Sequence, residues 1–189
     1  MEEYISPLGT KEHWESQYLE ELNQFHNNKT QVGEIWFGAD IQKKELTYLM
    51  KHYTDKKMFI LDIGFGNGTF LYKLGKNKYE NLYGIDYATA SLQLAGEIIK
   101  EKEKKHNEKY NIHLYQEDIN DKKDQIGLKF DLIHDKGSID AFLLNKDNKL
   151  ENYINYVLSY SKKGKTIFII TSSIEGSVSH LFCFCLFGK

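Results

Sequence analysis

At 189 residues, with 41% hydrophobic and 14% aromatic content, the chain is long enough for one domain with a sizeable core, and no second domain is expected. Its formal net charge is −2 and all 25 basic residues are lysines, so both a basic surplus and the guanidinium fork for bidentate phosphate contact are missing, which argues against nucleic-acid binding. The opening Met1-Glu2-Glu3-Tyr4 is acidic and polar, and no apolar run approaches the ~20 residues that span a bilayer, so a soluble cytoplasmic protein without a signal peptide is expected.

In chain order, Thr10 is placed to cap a first helix in which Trp14, Tyr18, Leu22 and Phe25 recur at helical spacing. All four are read as packing residues, since such aromatic stripes are usually core. The helix ends over Asn27 to Thr30 and is followed by an unusually aromatic loop, Gly33-Glu34-Ile35-Trp36-Phe37-Gly38. A second helix is predicted from about Asp40 to His52. From Met58 onward the pattern alternates. Strands are predicted at Met58 to Ile63, Leu82 to Asp86, Ile112 to Gln116, Phe130 to His134 and Thr166 to Thr171. Helices are predicted near Thr69 to Lys76, Ala88 to Lys105 and Leu150 to Ser161.

Such alternation predicts an α/β fold: a doubly wound, mostly parallel, Rossmann-like sheet with ligands at the carboxyl ends of its strands. The lysine and glutamate run from Lys100 to Lys105 reads as the solvated end of a helix. The chain divides into an N-terminal helical segment with the aromatic loop (1–55), a core (56–173) and an apolar tail (174–189). Leu181 to Phe187 of that tail could add a strand over an otherwise open sheet edge. Cys183 and Cys185 are too close for an ordinary disulfide, and with His180 they still lack a fourth metal ligand, so neither framework nor metal site is expected.

The most informative stretch is Leu61-Asp62-Ile63-Gly64-Phe65-Gly66-Asn67-Gly68, where a buried strand enters a glycine-rich bend and a helix opens at Thr69. Glycine lets the backbone press against a ligand, and the helix start offers unpaired N–H groups. Asp86 closes the next strand, where a carboxylate can accept both hydroxyls of a ribose. The dinucleotide pattern G-x-G-x-x-G does not fit, because the third glycine comes one residue early, and a P-loop would need Gly-Lys-Ser/Thr. The Asp-x-Gly-x-Gly-x-Gly that stands here resembles motif I of the class I S-adenosylmethionine (SAM) methyltransferases.

A narrower resemblance rests on five segments: Leu8 to Trp14, the loop Gly33 to Gly38, the glycine turn, Gly84-Ile85-Asp86-Tyr87, and Asp135-Lys136-Gly137-Ser138-Ile139-Asp140-Ala141. From about Leu8 to Ser172 their order and spacing are similar to the protein-lysine methyltransferases that modify translation elongation factor 1-alpha, the lysine methyltransferase 2 type above all. Ser138 stands where that family usually has Thr. After Ser172 the chain diverges into Ile174-Glu175-Gly176 and the apolar tail, so distal strands of the family fold are expected to be missing.

The resemblance implies methyl transfer from SAM to a lysine ε-amine of a protein, with elongation factor 1-alpha as substrate and no metal. It implies that Gly64, Gly66 and Gly68 line the methionine part of the cofactor, that Asp62 meets its ammonium, and that Asp86 holds the ribose. Asp118 and Ile119 are the candidates for the adenine. Trp36 is assigned to the cofactor mouth and Phe37 to packing. Asp135, just past the fourth predicted strand, is the candidate to orient the substrate amine or take its proton; capping a turn or pairing with Lys136 is its structural alternative. Two other functions stay open from the residues alone: a non-catalytic SAM-binding or interaction module, and a small-molecule methyltransferase.

Overall fold

The structure is a computed structural model that describes residues 6–121 and 126–173, together with the backbone of 180–185. Five parallel strands, β1 (Phe59–Ile63), β2 (Asn81–Asp86), β3 (Ile112–Gln116), β4 (Leu132–Lys136) and β5 (Ile167–Ser172), are joined by an antiparallel β6 (His180–Cys185). The order is β3-β2-β1-β4-β5-β6, so the winding reverses between β1 and β4. Ligands of such sheets bind at that reversal. The tail thus supplies an edge strand, with Ser172 opposite His180 and Ile167 opposite Cys185. The side chains of His180, Cys183 and Cys185, and the residues Ile174 to Gly176, lie outside the described residues.

Side chains alternate between the two sheet faces with a period of two, and the buried residues sort accordingly. Ile60, Leu82, Leu132 and Ile169 pack with Leu46 and Leu49 of α2 (Ala39–His52) and with Phe70, Leu71 and Leu74 of α3 (Thr69–Lys76). Leu61, Ile63, Ile85, Ile133 and Phe168 face the other way. They meet Ile139 and Phe142 of α5 (Ser138–Leu144) and Tyr153, Tyr156 and Val157 of α6 (Leu150–Ser159). Helix α1 (Lys11–Asn27) lies on α4 (Thr89–His106) through Leu22, Phe25, Leu94 and Ile98.

The largest boundary shifts fall in β4 and α6, and one α-helix is new. Strand β4 begins at Leu132, leaving Phe130 in an isolated bridge to Ser161, and it runs on to Lys136. Helix α6 stops at Ser159. Helix α5 is not among the predicted elements; it is short and begins one residue after Gly137, whose φ of 85° breaks the strand into it. Thr10 does cap α1, its Oγ1 accepting the N–H of His13 at 3.3 Å. Helix α4 has only Ala88 at its cap position, and Glu15 of α1 accepts the N–H groups of Thr89 and Ala90 at 2.8 and 3.0 Å. A carboxylate at a helix start satisfies orphan donors and opposes the dipole, so this contact also locks α1 in place.

Candidate active site

A cavity of about 380 Å³ opens over the carboxyl ends of β1, β2 and β4. Its floor is the turn after β1. Gly64 and Gly66 take φ of 63° and 55°, and a Cβ on either would meet Ser138 Oγ at 1.9 Å or Tyr18 Oη at 2.9 Å. Only glycine allows the chain to pass between those neighbours.

Gly68 does something else. It starts α3 at φ 70°, outside the cavity wall, and a Cβ there would lie 2.8 Å from Cβ of Ala95. Its bareness brings α3 against α4, a packing role that replaces the expected place on the cofactor side.

Asp86 reaches the cavity from β2. Its Oδ2 accepts the N–H of Gly66 and its Oδ1 that of Ala88, both at 3.0 Å, which ties the second strand end to the glycine turn. Burial pushes its carboxyl up to about 6, against the pull of those two N–H groups. Asp62, Asp118, Ile119 and Trp36 also line the cavity. Asp118 holds the N–H of Asn120 at 2.8 Å, which shapes the loop after β3. Glu117 beside it is buried and accepts hydrogen bonds from the Tyr156 and Tyr160 hydroxyls of the α6 region.

The aromatic loop forms part of the roof. The Trp36 carbonyl accepts a hydrogen bond from Lys136 Nζ at 2.8 Å, and its indole lies 5.2 Å from Trp14, edge to face. Gly137 sits under the pair formed by Trp36 and Phe37: a Cβ would be 2.4 Å from Trp36 Cδ1 and 3.1 Å from Phe37. Glu21 of α1 accepts the N–H of Glu34, and Asn67 donates to the Glu34 carbonyl, so the loop is held from both sides. Lys136, also in the wall, is pulled below the ordinary lysine value by burial, with Glu45, Asp62 and Asp135 opposing the shift.

Two expectations are corrected here. Asp135 does not face the cavity: it accepts the N–H groups of Ser138 and Ile139 at the start of α5 and the hydroxyl of Tyr153. The reason is strand parity, since Asp135 shares its side of β4 with Ile133, toward α5 and α6. Trp14 and Tyr18, read as residues of packing alone, also line the cavity, because the first half of α1 overhangs it; Tyr18 packs as well against the cluster that Leu22 and Phe25 form with α4. Sequence reading also missed His134, buried and 2.7 Å from Asp62, although its place two residues after Leu132 puts it on the Asp62 side.

Comparisons with known proteins agree with this architecture. The family described as a methyltransferase domain matches residues 54–183. The chain is 41% identical to human EEF1A lysine methyltransferase 2 over 169 residues, 88% of this chain and 69% of that protein. It is 32% identical to the protein-lysine N-methyltransferase EFM4 of Saccharomyces cerevisiae over 179 residues, again 88% of this chain and 76% of that one. Among solved structures, a putative SAM-dependent methyltransferase from Methanococcus maripaludis aligns with a TM-score of 0.59 at 15% identity, covering 91% of this chain and 67% of its own. Magnesium protoporphyrin IX methyltransferase from Synechocystis aligns with the same TM-score, 0.59, at 12% identity, covering 85% and 69%. These two likenesses concern the fold.

Proposed function

The chain belongs to the class I methyltransferases, in the group of the elongation factor 1-alpha lysine methyltransferases, and from that premise we propose that it methylates the ε-amine of a lysine in translation elongation factor 1-alpha, with SAM as donor. The observation that carries the reading is the cavity in which the Asp86 carboxylate is tied through the Gly66 N–H to a side-chain-free turn at the winding reversal. Bare backbone and an anchored acid are what a nucleoside with a charged amino-acid end requires. Bound there, SAM supplies a methyl group on a sulfonium, ready for in-line displacement.

This chain's residues then have separate tasks. Asp86 accepts the ribose hydroxyls, the Gly64 and Gly66 backbone carries the methionine part, and Asp62 receives its ammonium. Asp118 and Ile119 border the adenine. Trp14 and Trp36 exclude water and offer electron-rich faces to cations. A lysine with its ordinary pKa of about 10.4 is nearly all protonated at neutral pH, and an aromatic, water-poor mouth favours the neutral amine that must attack. Holding that amine ~3 to 3.5 Å from the methyl supplies much of the acceleration without covalent catalysis. Asp135, bound to α5 and Tyr153, has no part in this.

Residues 56–173 form the donor-binding core in this reading, 1–55 a segment packed on it, and 174–189 an apolar tail. The protein works in the cytoplasm on a protein rather than on nucleic acid or a membrane; among the described residues no helix is long and apolar enough to cross a bilayer. Calorimetric titration with SAM, followed by transfer of labelled methyl to purified elongation factor 1-alpha, tests it. Label on a lysine of the factor is the expected result; SAM binding with no label would leave a cofactor binder and sink the enzyme.

A further inference from the structure

In the cavity wall, Asp62 adjoins two further buried groups, His134 and Glu45, to which methyl transfer so far assigns no task. His134 is 1% exposed and stacks on Phe70 of α3, ring centroids 3.8 Å apart and planes within 10° of parallel. Its Nδ1 is 2.7 Å from Oδ1 of Asp62 on β1, and its Nε2 is 3.7 Å from Oε2 of Glu45 on α2. Glu45, equally buried, accepts the Thr171 hydroxyl of β5 through its other oxygen. Burial works against charge on His134, but Asp62 and then Glu45 outweigh it and push the imidazole up to about 9. Burial likewise pushes Glu45 up, and His134, Thr171 and Lys136 together bring it below the ordinary value.

Buried ion pairs of this kind are often no more stabilising than apolar side chains of the same volume, so stability alone is a weak reason for one. The geometry supplies another. Asp62 and His134 are register partners across β1 and β4, and Asp62 lines the cavity. With Oδ1 clamped by Nδ1–H, the plane of the carboxylate is set, while Oδ2 takes no hydrogen bond among the described residues. Other charged groups stand near without replacing that clamp: Asp135 and Lys136 follow His134 on β4, and the charge of Lys136 is felt by Lys73 on α3.

We propose that His134, backed by Glu45, is a positioning residue that holds the Asp62 carboxylate in one orientation to receive an aliphatic ammonium, the amino group of a methionine-type donor. This rests on the methyl-transfer reading above. The test is calorimetric binding of two ligands, S-adenosylhomocysteine and methylthioadenosine; the second shares adenine, ribose and sulfur but lacks the amino-acid end.

His134→Leu should bind S-adenosylhomocysteine about tenfold more weakly, and Glu45→Gln about threefold, with methylthioadenosine unchanged in both. His134→Asn, whose amide can donate where Nδ1 did, should recover most of the lost affinity. Equal loss of both ligands, or unchanged affinity for S-adenosylhomocysteine in His134→Leu and Glu45→Gln, would overturn the assignment. Should His134→Leu not fold, Glu45→Gln and His134→Asn decide the matter on the same two ligands. Wild-type protein that bound neither would instead overturn methyl transfer itself.

Discussion

Asp86 and Asp135 lie at the carboxyl ends of the two strands that flank β1, both are buried, and burial pushes both carboxyls up to about 6. Their surroundings differ. Asp86 opens on the cavity and holds the glycine turn, whereas Asp135 lies under α5 and holds that helix and Tyr153. A perturbed acid at a strand end is therefore not by itself a catalytic signal. What separates the two is the side of the sheet: Asp86 shares a side with Leu82, while Asp135 shares one with Ile133.

The largest expected effect would break this comparison if it failed. Asp86→Ala should weaken SAM binding about a hundredfold in calorimetry, the loss of charge-assisted hydrogen bonds worth ~3 kcal/mol. Asp135→Ala losing as much would put the two acids back on one footing.

Next comes pH. The ribose hydroxyls need the ionised form of Asp86, so SAM affinity should fall about tenfold between pH 7 and pH 5, and Asp86→Asn should abolish that slope. Stability should move the other way. A carboxyl raised to about 6 in the folded state and near 4 when unfolded keeps its proton longer when folded, so its contribution declines as pH rises through that window. Chemical denaturation and titration on the same samples would reveal the opposite slopes. Parallel slopes would count against the assignment of Asp86.

Asp135→Ala sharpens the contrast from the other side. Losing the start of α5 and the Tyr153 partner should lower unfolding free energy by about 2 kcal/mol while SAM affinity stays within about threefold. Smallest of all, Gly68→Ala should cost ~1 kcal/mol in a denaturant melt, through positive φ and the approach of Ala95, with little change in binding. A large loss of SAM affinity there would return Gly68 to the cofactor side.

Local pattern accounts for much of this molecule. Thr10 marks the start of α1, period-two and helical spacing mark five parallel strands and most helices, and the bend from Asp62 to Gly68 points to a ligand turn. Such signals are read within a few residues of one another, where backbone sterics and capping operate. Helix α5 escaped because it is short, its cap position is Gly137, and the carboxylate that accepts its first N–H groups, Asp135, belongs to a strand.

The chain alone thus determined the α/β winding, the strand ends and the acids that stand on them, because periodicity and glycine conformations are local properties. Only the tertiary structure decided which of those groups meet: that His134 faces Asp62 and Glu45 across 72 and 89 positions of sequence, that Asp135 turns from the cavity, and that Trp14 and Tyr18 roof it. Strand register and the seating of α1 on α4 fix those encounters, and both are set by packing over long sequence separations that no local pattern encodes.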